Sequence, residues 1–202
     1  MSLLMAMFSF SLAMSISPGP VNMVIVSSGA NYGIRKTFAF VSGATIGFTL
    51  LLLFIGLGFN RVMDVHPYFV KYLAVAGGLF IIYMGYLIAS AKPMLENKEQ
   101  DNNAQKQPTF MQGFLLQWLN PKAWIACVAG ASLFSIPENH QVFLTFSLMY
   151  FLVCYLSLFA WSVLGGKVTI LLSSAFRLRL FNQFMGGLLM ITACFLLYSQ
   201  FS

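Results

Sequence analysis

The sequence predicts an all-α integral membrane protein with six transmembrane helices, arranged as two inverted three-helix repeats in which helices one and four are broken at proline. Three observations predict this fold class. The chain is 59% hydrophobic and only 8% charged, whereas soluble domains carry about 25% charged residues. The charges cluster between long apolar runs, and two of these runs are interrupted by proline at about the same depth.

Each apolar run reaches or exceeds the roughly 20 residues that cross about 30 Å of hydrocarbon. The six runs cover residues 3–28, 37–59, 68–91, 110–134, 142–164 and 181–201. The first run begins without the Lys or Arg of a signal-peptide n-region, and its apolar character resumes after Pro20. We therefore interpret the first run as a spanning segment rather than a cleaved signal peptide.

The basic residues predict the orientation, because Lys and Arg accumulate in cytoplasmic loops. The connections after runs one, three and five carry most of them: Arg35, Lys36, Lys92, Lys98, Lys106, Lys167, Arg177 and Arg179. The opposite side has only Arg61 and Lys71. We therefore expect both termini outside the cytoplasm. The net charge of +6 predicts contact with anionic membrane lipid, and no recognition motif supports a nucleic-acid partner.

The chain divides into two similar halves within a single transmembrane domain, residues 1–202. Repeat one covers residues 1–91, a polar and mixed-charge cytoplasmic linker covers 92–109, and repeat two covers 110–202. Gly77-Gly78-Leu79 in the third run recurs as Gly186-Gly187-Leu188 in the sixth. These glycines favour helix packing. Because each half crosses the membrane an odd number of times, the second half is inverted, as in many secondary transporters.

The two breaks are Ser17-Pro18-Gly19-Pro20 and Asn120-Pro121-Lys122. Proline removes a backbone N–H and clashes with the carbonyl four residues earlier. We therefore expect free carbonyls at Met14, Ile16 and Gln117. Gly19 permits backbone angles denied to other residues. Irregular backbone inside a bilayer is tolerated only where it is buried in protein or lines a watery cavity, so the breaks predict a site.

The half-helix that begins near Pro20 presents free N–H groups and a positive dipole end, where a carboxylate can dock. Freed carbonyls, with Ser15, Ser17 and Asn22, can accept hydrogen bonds from an ammonium group. Lys122 lies about twelve residues into its run, roughly 18 Å along a helix, and an intramembrane charge marks a functional position. It is expected to face the substrate or to pair with a helix end. The predicted substrate-binding residues are Ser17, Pro18, Gly19, Pro20, Asn22, Asn120, Pro121 and Lys122.

Several site chemistries are not supported by the sequence. All five acidic residues, Asp64, Glu96, Glu99, Asp101 and Glu138, lie outside the apolar runs. A path for metal cations needs carboxylate or thiolate ligands, and Cys127, Cys154 and Cys194 lack C-x-x-C spacing. We expect no metal, no cofactor and no catalytic residue. A membrane-embedded enzyme and a non-transporting membrane subunit or channel remain the alternatives.

Two motifs resemble the LysE/RhtB family of bacterial amino acid exporters. The first is Ser17-Pro18-Gly19-Pro20-Val21-Asn22, followed by Gly29, Gly33 and Arg35. The second runs from Gln112-Gly113-Phe114 to Asn120-Pro121-Lys122-Ala123. The resemblance implies a multi-pass protein of the bacterial cytoplasmic membrane that exports amino acids or close derivatives in exchange for protons. The lack of a membrane-embedded acid favours a neutral substrate. A homodimer is one alternative, and the glycine-rich third and sixth runs are its candidate contacts.

Overall fold

The computed structural model describes residues 2–59, 67–91, 107–135, 140–172 and 174–199. Within these ranges the chain is helical and contains no strand. The helices are α1 (Leu3–Ile16), α2 (Pro20–Tyr32), α3 (Ile34–Phe54), α4 (Pro67–Ala89), α5 (Phe110–Trp118), α6 (Pro121–Phe134), α7 (His140–Leu171) and α8 (Ala175–Ser199). A π-helical turn, Ile55–Phe59, extends α3.

Both predicted breaks are present. The first run forms α1 and α2, whose axes differ by 61° across Ser17–Gly19. The fourth run forms α5 and α6, which are separated at Leu119 and Asn120. Each second half-helix begins with proline at its first helical position, where the missing N–H costs no hydrogen bond.

Three described helices are long and apolar enough to cross a membrane: Ile34–Leu57, His140–Val168 and Ala175–Phe195. The bent pair α1 and α2 counts as a fourth span if it is taken as one. Val75–Ala89 and Pro121–Phe134 are apolar but shorter. The fold is therefore all-helical with three or four candidate spans in the described ranges. The linker residues 92–106 and all five acidic residues lie outside those ranges.

The helices pack in pairs that link the two halves of the chain. The most extensive contact joins α4 to α8, followed by α3 with α5 and α2 with α7. Glycines bring backbones together at these contacts: Gly113 on α5 abuts the Phe40 carbonyl on α3, and Gly165 on α7 abuts the Val26 carbonyl on α2. Close approach through small residues is the usual way to pack helices in a membrane.

Of the four repeated glycines, three serve the predicted packing role. Gly77 faces the carbonyl of Leu119 at the second break, Gly78 faces the Leu197 side chain, and Gly186 faces Gly85 on α4. Gly187 is different, because nothing lies within 4 Å of the position that its Cβ would take. Packing therefore explains Gly77, Gly78 and Gly186 but not Gly187.

The outer surface of the bundle is apolar. Large hydrophobic side chains on α8 stay exposed, including Phe184 at 66%, Ile191 at 68% and Phe195 at 68%. Soluble monomers rarely show apolar surface of this extent. Such a surface suits contact with lipid chains.

The packing predicts that Gly113→Ala destabilises the protein while Gly187→Ala does not. A Cβ at residue 113 would overlap the Phe40 carbonyl and lie 3.0 Å from the Ala44 nitrogen, and overpacking of this kind costs about 1 to 3 kcal/mol. Thermal unfolding of the two purified variants in detergent measures the difference. Equal unfolding midpoints would show that the α3–α5 contact is not as close as described.

Candidate functional site

The first break is closed by side chains rather than by helical hydrogen bonds. The side-chain amide of Asn22 is buried and donates from Nδ2 to the carbonyls of Ser15, at 3.2 Å, and Ser17, at 3.1 Å. The Ser17 hydroxyl donates to the Met14 carbonyl at 3.1 Å. Asn22 therefore ties the start of α2 to the end of α1.

The start of α2 keeps free donors. Gly19 is the N-cap and provides no side-chain hydrogen bond. Pro20 has no N–H, and the first intrahelical bond runs from Met23 N–H to the Gly19 carbonyl. The N–H groups of Val21 and Asn22 thus have no partner within the helix. They lie at the positive end of the α2 dipole, which favours an anion.

The second break is capped more completely. Asn120 Oδ1 accepts the Lys122 N–H at 3.1 Å, and the Asn120 carbonyl accepts the Ala123 N–H at 2.9 Å. The first N–H groups of α6, those of Lys122 and Ala123, therefore already have acceptors. Of the two half-helices that follow a break, α2 is the one that offers donors to a ligand.

Lys122 joins the two breaks. Its ammonium nitrogen Nζ donates to the carbonyl of Ser17 at 2.6 Å, and the Pro18 carbonyl lies at 3.4 Å. These carbonyls follow the C-terminus of α1, the negative end of that helix dipole. No Asp or Glu is present in the described ranges, so backbone carbonyls are the partners of this cation. Two roles are expected for Lys122 from the sequence. The geometry shows one of them, the pairing with a helix end.

Gly19 lies in a tight space beside Lys122, and its backbone angles are not unusual. Its φ of −170° and ψ of 178° are extended and open to any residue, so the sequence-based reason for this glycine is wrong. A Cβ at Gly19 would lie 3.1 Å from Lys122 Cδ and 3.2 Å from Lys122 Nζ. The absent side chain leaves room for the lysine.

The expectation of free carbonyls is also corrected in part. The Met14 carbonyl accepts the Ser17 hydroxyl, and the Gln117 carbonyl accepts the Asn120 N–H at 3.2 Å. The last turn at the end of α5 is tight, so the Gln117 carbonyl finds its hydrogen-bond donor three residues later. The carbonyls that receive an ammonium group are those of Ser17 and Pro18, one to two residues beyond the end of α1.

A cavity of about 40 Å³ opens where the breaks meet. This volume holds about three water molecules. Its wall includes Ser15, whose buried hydroxyl lies next to the side chains of Tyr150 and Cys154. The remaining lining residues are Met14, Gly19, Val21, Asn22, Phe48, Gln117, Asn120, Lys122, Ala123, Ala126, Tyr150, Cys154 and Leu158.

Four of the predicted site residues therefore line one cavity: Gly19, Asn22, Asn120 and Lys122. The other four, Ser17, Pro18, Pro20 and Pro121, form the breaks without lining it. Sequence reasoning missed Phe48 on α3 and Tyr150 and Cys154 on α7, which reach the cavity only through tertiary packing. Gln117 was also missed, although an amide inside an apolar run was a visible signal.

An aromatic cluster adjoins the cavity. Tyr150 stacks on Phe48 with ring centroids 4.3 Å apart, and Phe146 packs edge-on against Tyr150 at 5.7 Å. Phe10 on α1 and Phe134 on α6 complete the cluster, at 5.9 Å and 4.4 Å from Phe146. The cluster therefore joins α1, α3, α6 and α7 beside the cavity.

At the other end of α2, two buried asparagines bind each other. Asn31 and Asn182 exchange side-chain hydrogen bonds of 2.7 Å in both directions, and Asn182 also donates to the Ala91 carbonyl at 3.2 Å. Sequence reasoning missed this pair. It fastens α2 to α8 and to the end of α4, roughly 13 Å along α2 from Asn22.

Comparison with known proteins places this architecture in a family. Residues 12–200 match the family model described as LysE type translocator. The chain belongs to the LysE type translocator family. The match covers both breaks and all the described helices except residues 3–11 of α1, and it confirms the resemblance that the two sequence motifs predict. It also confirms that the protein is a translocator and not an enzyme.

Curated relatives of this translocator include proteins named cysteine/O-acetylserine efflux protein. The one from an ETEC strain of Escherichia coli is 27% identical over 198 residues, which cover 98% of this chain and 95% of that protein. Those from Escherichia coli strain K12 and Shigella sonnei strain Ss046 are 28% identical over 142 residues, 70% of each chain. No solved structure matches this translocator.

The contact between Gly19 and Lys122 predicts that Gly19→Ala destabilises the translocator only when Lys122 is present. The added methyl group displaces a side chain held by the Ser17 carbonyl, whereas in the Lys122→Ala background it meets no lysine. Contacting residues couple by about 0.5 to 3 kcal/mol. A double-mutant cycle followed by thermal unfolding measures the coupling.

Gly166→Ala is the matched control, because its Cβ would meet only Ile34 atoms at 3.5 Å or more. It should have the same effect in both backgrounds. Absence of coupling between Gly19→Ala and Lys122→Ala would contradict the described position of the lysine.

Proposed function

We propose that this chain is a secondary transporter that exports small neutral amino acids across the bacterial cytoplasmic membrane by alternating access. The observation that carries the proposal is the cavity at the meeting point of the two breaks, with α2 donors and the Lys122 ammonium in its wall. The eight predicted substrate-binding residues are the ones proposed to form this site.

The site has a partner for each end of a zwitterion. The substrate carboxylate binds the free N–H groups of Val21 and Asn22 at the start of α2. The substrate ammonium binds the backbone carbonyls after α1. Transporters commonly place substrate in this way, near the midplane and between the ends of discontinuous helices.

The walls favour a small neutral side chain. No carboxylate in the described ranges faces the cavity, so a second cationic group on the substrate would have no counter-charge. The buried Ser15 hydroxyl in the cavity wall offers a hydrogen bond to a small polar group. Cysteine and O-acetylserine, which the relatives' names mention, are neutral and polar, and we propose this class of substrate.

The helix contacts support a six-span inverted repeat in one domain, residues 1–202. If the two halves are exchanged, α1 and α2 correspond to α5 and α6, and α7 corresponds to α3. The contacts of α1 and α2 with α7 then correspond to those of α5 and α6 with α3, and both sets are present. The α4–α8 contact maps onto itself. Exposed Arg35, Lys36 and Lys167 at the α2–α3 and α7–α8 connections support a cytoplasmic location for those connections and hence outward termini.

Alternating access then has a closure on each side of the cavity. The aromatic cluster of Phe10, Phe48, Phe134, Phe146 and Tyr150 closes the outward path. The Asn31–Asn182 pair closes the cytoplasmic path by fastening α2 to α8. Alternating access requires that only one of the two closures opens at a time. We also propose that exchange with protons drives export. The group that changes charge is then Lys122 or the substrate itself.

Cells that produce this chain should release more cysteine or O-acetylserine than cells that lack it. Amino acid analysis of the culture medium measures this difference and names the substrate. Unchanged medium, together with verified insertion of the protein, would refute export.

Asn22→Ala and Lys122→Met should each lower net amino acid efflux from loaded vesicles by about tenfold or more, since each removes charged or buried hydrogen bonds at the break. Lys167→Met is the control, because Lys167 is exposed and lies outside the cavity. If both site variants insert normally and keep full efflux, the site assignment is wrong.

A further inference from the structure

We propose that the carbonyl oxygens of Ser17 and Pro18 form a binding site for a primary ammonium group, and that Lys122 of the same chain occupies this site when the carrier is empty. The amino group of an incoming amino acid must then displace Lys122. The nature of the displacing ligand rests on the proposed export function. The site itself rests on the geometry of the break.

The partners of Lys122 are neutral. Its Nζ lies 2.6 Å from the Ser17 carbonyl oxygen and 3.4 Å from that of Pro18, and no carboxylate of the described chain accompanies them. A lysine held by a carboxylate would be difficult to replace, because removal leaves a buried unpaired charge. Carbonyls can instead accept the same hydrogen bonds from any primary ammonium of equal size.

The carbonyls that hold Lys122 belong to the two residues before Gly19, which lies in the cavity wall. Gly19 and Lys122 both line the cavity, and the missing side chain of Gly19 leaves the space that the lysine fills. The negative end of the α1 dipole stabilises a cation there. The substrate ammonium and the lysine therefore compete for one place.

This competition has a consequence for the transport cycle. With Lys122 in place, the carbonyls at the break keep a cation in both the empty and the loaded carrier. Without Lys122, the empty carrier would change conformation with no cation on these carbonyls, at the negative end of the α1 dipole. Loss of the lysine should thus slow the return of the empty carrier more than the movements of the loaded carrier.

The ammonium site can be tested without a transport substrate. Ethylammonium chloride should raise the thermal unfolding midpoint of purified Lys122→Ala by about 3 °C or more, because it fills the vacated place. Wild type and Lys167→Ala should not respond, since Lys122 still occupies the site in both. Choline chloride, whose quaternary nitrogen has no N–H, should have no effect on any of the proteins.

An equal response of all three proteins, or no response of Lys122→Ala, would overturn the site. If Lys122→Ala is not recovered folded in plain buffer, its folded yield after purification in ethylammonium or choline supplies the same comparison. A higher yield in ethylammonium supports the site, and equal yields overturn it.

The displacement step is tested with labelled L-cysteine in vesicles. In Lys122→Met, exchange of internal labelled cysteine for external unlabelled cysteine should fall by a smaller factor than net efflux, which falls about tenfold or more. If exchange and net efflux fell equally, Lys122 would be a substrate ligand only, and the proposed displacement step would be wrong. Absence of cysteine flux in wild type would count against the proposed substrate, and the ethylammonium result would still decide the ammonium site.

Discussion

The bond between Lys122 and the Ser17 carbonyl is the interaction on which the site depends. It joins residues 105 positions apart and sets the start of α6 against the end of α1. Hydrogen bonds that involve a charged group contribute about 1.5 to 3 kcal/mol. In a bundle whose described part has no carboxylate, this cation and the helix termini are the main electrostatic features near the cavity.

Three other features of the break follow from this bond. Gly19 has no side chain because the lysine needs the space, although its backbone is extended and would accept another residue. Asn22 holds the Ser15 and Ser17 carbonyls in place. Asn120 caps α6 and so fixes the direction from which Lys122 reaches across. The same polar contacts leave the donors of α2 available, which is why the two similar breaks have unequal roles.

The packing of the bundle explains how such a break persists in an apolar environment. Broken backbone is stable only where protein surrounds it, and α3, α4 and α7 supply that enclosure. Gly77 lets α4 approach the Leu119 carbonyl at the second break, and Gly165 lets α7 approach α2. In the proposed transport cycle, the aromatic cluster and the Asn31–Asn182 pair close the two ends of the path, one by apolar contact and the other by paired amides.

The sequence by itself determined the membrane class, the positions of both breaks and the presence of a charged residue, Lys122, at the second break. These features depend on local chemistry: apolar runs long enough to cross a bilayer, prolines that cannot continue a helix, and a charge that has no ordinary reason to lie among apolar residues. The repeated glycine pairs indicated close packing, although Gly187 has no neighbour to explain it.

Only the tertiary structure decided which carbonyls receive the ammonium, why residue 19 is glycine and which side chains complete the cavity. Local proline rules pointed to the carbonyls of Met14 and Gln117, but nearby hydroxyl and N–H groups satisfy these instead. Phe48, Tyr150 and Cys154 belong to helices whose sequence shows no sign of a site. Their role arises because α3 and α7 pack around the breaks, and contacts between distant segments are not encoded in any local pattern.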